Sequence, residues 1–287
     1  MIRHAQHALD AIRGLDPVED HRAIYSNLIF VDAASTMTAG LNMAFYRSFA
    51  APSIAKLLTG TRVAIDDPAR RAVDTGILVW EMAMHGFEHE RGRAALSRMN
   101  RIHSAYEISP EDFLYVLSTI VVVPIEFMDR YGWRRTFAQE RTASAEFYRQ
   151  MGRRMALPEI PASFAEFEAY LNRYEREHFV YTDQAHELLL ATGSLMDHRF
   201  PKPLRGAVSL LTSTLMDRRM RTAGGVRNPP PGLTTLVRIT ARSASRVARW
   251  RNPHPTHRFP NGVVAPVPSY PDGYQIEQVG HVRKSKV

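Results

Sequence analysis

Helix beginnings are written into this chain four times, and that punctuation restricts the fold more than any other feature. Asp16-Pro17-Val18-Glu19 offers an N-cap carboxylate, proline at the first helical position and an acid at the third. Asp67-Pro68 repeats the cap-plus-proline device, and Ser109-Pro110-Glu111-Asp112 opens an apolar segment in the same way. Ser163-Phe164-Ala165-Glu166 is a capping box after Pro161. In each, an oxygen side chain satisfies amides that a first turn leaves unpaired.

Between these starts the apolar residues recur at helical spacing. Val73, Ile77, Trp80 and Met84 form one stripe with Leu78 beside it, and Ala94, Ala95, Met99, Ile102 and Tyr106 form another. Strict alternation is rare, and no Asn-Gly hairpin joins two strand-like runs. The expectation is an all-α chain of about eight to ten helices without an internal repeat. One large helical domain is expected over 1–232. The break Asn228-Pro229-Pro230-Pro231-Gly232 then separates it from a basic amphipathic helix, 233–250, and a Pro-rich tail, 251–287, read as extended or laid on the surface.

With 45% apolar and 23% charged residues the 287-residue chain is of ordinary globular composition. It contains no cysteine. That excludes a disulfide framework, a thiolate nucleophile, an iron–sulfur cluster and cysteine-ligated zinc or haem. The N-terminus has no apolar signal core. The most apolar window, Phe113 to Met128, contains Pro124 and falls short of the roughly 20 residues that span a bilayer, so it is expected to be a buried core helix. A cytoplasmic protein, peripheral at a membrane, is the expected location.

The net charge of +8 is unevenly distributed. Residues 1–217 carry 24 Lys+Arg against 27 Asp+Glu, whereas residues 218–287 carry 13 against 2. Within the last quarter, Arg238, Arg242, Arg246 and Arg249 share one helix face. Such a helix either lies on an anionic membrane surface, by apolar burial plus charge attraction, or packs its apolar stripe on the body with the arginines solvated. Nucleic acid is an unlikely partner, because the region lacks a zinc motif, an aromatic stacking platform and a helix-turn-helix.

Without cysteine, histidine is the residue to search for metal or cofactor chemistry. His85 and His89 stand at i, i+4, a spacing that clamps a divalent metal on a continuous helix, but Gly86 between them marks a break and a solvated loop. His103 ends the helical stripe Arg98-Met99-Asn100-Arg101-Ile102-His103, just before the Ser109 cap. On a buried helix face a neutral imidazole either ligates iron or bonds a carbonyl.

That segment, continued by Ile108-Ser109-Pro110-Glu111-Asp112-Phe113-Leu114-Tyr115-Val116-Leu117-Ser118, resembles the MpaB-like branch of the rubber-oxygenase catalytic-domain family. Matches follow in order at Pro124-Ile125-Glu126-Phe127, Tyr131-Gly132-Trp133-Arg134-Arg135, Glu140, Met151-Gly152-Arg153-Arg154-Met155, Ile160-Pro161 and Tyr174-Glu175. Upstream, Pro52-Ser53-Ile54-Ala55 and Arg71-Ala72-Val73-Asp74-Thr75 also fit, so the resemblance covers roughly 16–232.

The resemblance implies a globin-reminiscent helical fold that holds haem b, and oxidative cleavage of carbon–carbon double bonds in isoprenoids. It also implies a membrane association and an apolar or lipid substrate. His103 matches a recurring family histidine and is the expected iron ligand, with His178 and His186 as distant alternatives. Arg98 and Arg101, near His103 on its helix, are candidates for the catalytic pocket or for haem propionates. Arg134 and Arg135 are candidates to bind propionates bidentately, or to pair Glu140 structurally. Glu81, on the preceding helix, is a candidate polar group near the pocket. One position departs from the family: Leu117 stands where the resemblance expects the proximal histidine, and leucine cannot ligate iron. A haem-free helical lipid-binding or scaffold protein, docked on a membrane through its basic C-terminal region, is therefore the alternative.

Overall fold

Ser109 Oγ accepts the Asp112 amide at 3.0 Å, and from that cap the chain runs as one helix to Tyr131. A computed structural model describes residues 9–61, 68–197, 205–251 and 270–280. Among these residues the Ser109-capped helix is the sixth of twelve α-helices. They are α1 His21–Ser26, α2 Ala34–Ser48, α3 Pro52–Thr61, α4 Pro68–His85, α5 Glu90–His103, α6 Pro110–Tyr131, α7 Ala138–Arg154, α8 Phe164–His178, α9 Asp183–Asp197, α10 Arg205–Leu215, α11 Arg218–Ala223 and α12 Leu233–Arg251. A π-helical turn, Asn27–Asp32, joins α1 to α2, and no strand occurs among the described residues.

The sequence signals act where they are written, with one displacement. Ser163 Oγ accepts the Glu166 amide at 3.3 Å while Glu166 Oε2 accepts the Ala162 amide at 2.9 Å. Asp16 Oδ1 accepts the amides of Val18 and Glu19 at 2.8 and 3.0 Å. Its cap, however, closes a separate turn before α1 begins at His21. Asp67 lies outside the described residues, and α4 starts at Pro68.

α6 is the axis. Leu114, Tyr115, Leu117, Val121, Val122, Ile125 and Met128 are all buried, as its unbroken apolar run demands. α2 packs along it most extensively, with α7, α8 and α12 on its other sides. The closest approach is at Gly40 of α2, where an added Cβ would lie 2.6 Å from Pro124 Cα. The two backbones therefore meet where α6 carries its internal proline. Among the described residues no single helix is long and apolar enough to cross a membrane.

Two C-terminal features frame the body. α12 rests on α6 and α10 with Val237, Ala241, Arg242 and Ser245 half-buried. Leu236, Ile239 and Val247 are more than half exposed, at 57%, 56% and 53%. Beyond α12, residues Tyr270–Gly280 lie as a strap along α4 and α5. Tyr270 Oη donates to Asp74 Oδ1 at 2.6 Å, and Tyr274 Oη donates to Glu81. Within the strap, Ile276 and Val279 are buried. The rest of the Pro-rich tail, 252–269 and 281–287, lies outside the described residues.

Candidate functional site

α4, α5 and the start of α6 bring together His103, Arg71 and Phe113. His103 is the last residue of α5, its ring edge-on to Phe113 at 5.1 Å between centroids. Its Nδ1 is buried without a hydrogen-bond partner. Burial, with a smaller contribution from the Arg71 charge, lowers this imidazole to about 4, so the ring is neutral near pH 7. A neutral imidazole with a free buried nitrogen has the donor chemistry of an iron ligand.

Arg71, one turn into α4, belongs to the family-like segment Arg71–Thr75, but its neighbours in sequence give no sign of a functional role. Its Nη1 donates to Thr75 Oγ1 at 2.7 Å, and its guanidinium faces the Phe45 ring at 5.8 Å. Among the described residues no carboxylate lies within ion-pair distance of it. Burial pulls it below the usual arginine range, with the Asp74 charge opposing. A cation held in apolar surroundings without a neutralising acid is costly, and such sites favour an anionic or electron-rich ligand.

The expected arginines are placed differently from one another. Arg98 donates from Nε to Val279 O at 2.7 Å and from Nη2 to Gly280 O at 2.9 Å, so it anchors the strap. Arg101 is exposed on α5. Arg134 is engaged by two acids, Asp32 at 2.6 Å and Glu140 at 2.5 Å, which is the structural pairing of the two roles its sequence allowed. Arg135 is exposed and lines a cleft elsewhere. Glu81 is buried and held by Arg91 at 2.6 and 2.8 Å and by Tyr274. His178 lies near the surface 3.2 Å from Glu111, and His186 Nδ1 donates to Gly224 O at 2.8 Å.

The His85–His89 pair does not share a helix. α4 ends at His85, Gly86 takes φ +82°, and His89 caps α5 by accepting the Arg91 amide at 3.2 Å. The left-handed turn needs the glycine.

Leu117 is buried and seated against α7: its Cδ2 would lie 3.0 Å from a Cβ at Gly152, and Ile160 closes the same spot. The position is filled by packing and contributes no ligand atom. An unpartnered imidazole nitrogen is thus present at His103, and no donor atom is present at residue 117.

A second buried polar assembly lies farther along α6 and went unrecognised from sequence. Arg47 of α2 grips the fully buried Glu175 of α8 at 2.5 and 2.6 Å and Asp217 at 2.6 Å. Tyr115 Oη donates to Glu175 at 3.3 Å and its ring stacks on Tyr174 at 4.0 Å. These residues come from four separate stretches, so no local pattern could link them.

A helical body without a strand among the described residues, with a buried histidine nitrogen between α4, α5 and α6, defines an all-helical class of protein. Residues 29–250 match the family model described as ER-bound oxygenase mpaB/B'/Rubber oxygenase, catalytic domain, and the chain belongs to that family. It is similar to the ER-bound oxygenase mpaB' of Penicillium brevicompactum, 25% identical over 235 residues, which cover 76% of this chain and 55% of the relative. It is also similar to the ER-bound oxygenase mpaB of Penicillium roqueforti (strain FM164), 26% identical over 198 residues, 63% of this chain and 66% of the relative. The chain thus spans between about half and two thirds of the length of these relatives.

Proposed function

We propose that this chain is a haem-dependent oxygenase acting on an apolar isoprenoid or lipid substrate, by oxidative cleavage of a carbon–carbon double bond. The family supports oxygenase chemistry. The observation that carries the haem reading is the neutral His103 ring, whose Nδ1 is buried and unpartnered beside an arginine with no carboxylate within ion-pair distance among the described residues. His103 would hold the iron, and bound haem would supply the site of dioxygen activation. Arg71 sets a fixed positive charge beside it. Met99, Ile102, Phe45 and Phe113 exclude water, which strengthens every charge interaction in the pocket. Arg98 acts on this site through the strap.

The absorption spectrum of protein expressed with added haem tests this. A Soret band that weakens or shifts in His103→Ala is the expected result, and colourless protein would exclude the haem reading. A second reading, a haem-free lipid-binding or scaffold protein, is favoured by the packed Leu117, and the same spectrum separates the two.

We further propose that the chain docks on anionic membranes through α12. Its Leu236, Ile239 and Val247 point away from the body, with Arg238 and Arg246 exposed alongside. The Penicillium relatives are named ER-bound, which agrees with this reading. In liposome flotation, full-length protein should rise with phosphatidylserine vesicles, and protein lacking 233–287 should not. Equal flotation of both would refute the docking role of α12.

A further inference from the structure

The second half of α6 forms one wall of an open cleft of about 480 Å³, lined on its other sides by residues of α2, α7, α8, α10 and α12. It lies away from His103: Phe113, which touches that ring, and Val123, which lines the cleft, are ten residues apart on α6, about 15 Å along the axis.

The charges of this cleft do not cancel. Asp129 is occupied by Arg141 at 2.5 Å and by Thr136, and Asp217 by Arg47 at 2.6 Å and the Met220 amide at 2.9 Å. Four lining arginines, Arg130, Arg135, Arg238 and Arg242, have no carboxylate within ion-pair distance among the described residues. Only Glu126 and Glu168 stand against them in the lining.

Two buried polar atoms belong to the same lining and lack partners. Tyr131 is 4% exposed and its hydroxyl makes no hydrogen bond, although a buried phenol normally finds one. Arg242 Nε, on the inner side of α12, is likewise buried and unpartnered. Val123, Phe127 and Leu215 supply apolar surface between them. The volume is far larger than one phosphate needs and falls within the range of small-molecule pockets.

We propose that this cleft binds an amphipathic anion. A phosphate or carboxylate head would sit against Tyr131 Oη, Arg238 and Arg242, and an apolar chain would lie along Val123, Phe127 and Leu215. Guanidinium forks match such heads bidentately, and the ligand supplies the acceptor that Tyr131 and Arg242 lack. The inference stands on the cleft alone and is independent of the haem reading.

Calorimetric titration of the full chain with decyl phosphate, below its micellar concentration, tests it. The expected result is one binding event per chain, weakened at least tenfold in Arg242→Met and in Tyr131→Phe. Arg238→Met provides a third variant at an exposed position, where folding is not at stake, and circular dichroism checks all three. Decyl maltoside and inorganic phosphate should each bind at least tenfold more weakly than decyl phosphate. Equal binding of the maltoside would overturn the anion selectivity, and equal binding of inorganic phosphate would overturn the role of the chain. Unchanged affinity in all three folded variants would overturn the site.

Discussion

At His103 and Arg71 two groups that prefer water are held largely out of it, the imidazole Nδ1 without a hydrogen bond and the guanidinium bonded to Thr75 but with no carboxylate within ion-pair distance among the described residues. Burial stabilises the uncharged imidazole, so the folded chain binds a proton there less readily than the unfolded chain does. The sign follows directly. The folded value, about 4, lies below the unfolded one near 6.5, so the unfolded state takes up the extra proton between these limits. Stability is therefore fully present above pH 6.5 and falls as pH drops toward 4. Denaturant unfolding across this window should lose about 2–3 kcal/mol more in the wild type than in His103→Gln. A parallel pH profile in the variant would show that His103 is solvated. His103 was legible in the sequence because it ends a helical stripe inside a family-like segment. Arg71 lay in another such segment, but nothing in its neighbours announces that no acid reaches it. The Arg47–Glu175 pair joins residues 128 apart and has no local trace.

Among the elements, the seam between α2 and α6 has the least tolerance. Proline removes an amide from the α6 ladder, and Gly40 lets the partner helix approach that interruption directly. A methyl group at residue 40 meets backbone, which cannot rotate away as a side chain can. Gly40→Ala should therefore cost about 2–3 kcal/mol despite the higher helix propensity of alanine, as measured by urea denaturation. A neutral or stabilising effect would mean that the helices can separate without loss. Most helices were legible because their caps and stripes are local. The π-helical turn at Asn27–Asp32 was not, since α2 begins at Ala34 with Ala33 as a cap that offers no side-chain bond, and the turn is held by Asp32 pairing with Arg134 and by Trp133 Nε1 reaching Asp32 O. The break at Gly86 was legible, but the capping role of His89 was not, since a histidine accepting its own helix's amide plays the part usually taken by serine or aspartate.

For the whole molecule the deciding contact is the strap. The family match ends at residue 250, yet Tyr270–Gly280 returns to cover α4 and α5, the helices that carry Arg71, Glu81 and His103. Val279 is fully buried, which is worth about 2 kcal/mol of apolar transfer, and Asp74 and Glu81 rely on strap hydroxyls for part of their bonding. Ending the chain at Ser269 should lower the melting temperature by about 4 °C or more, and scanning calorimetry would show it. An unchanged transition would make the strap an ornament of the surface. The bond from Arg98 to Val279 spans 181 residues. During synthesis α4 and α5 leave the ribosome long before residues 270–280, so until that segment emerges Asp74, Glu81 and Arg98 must go without the partners it brings them.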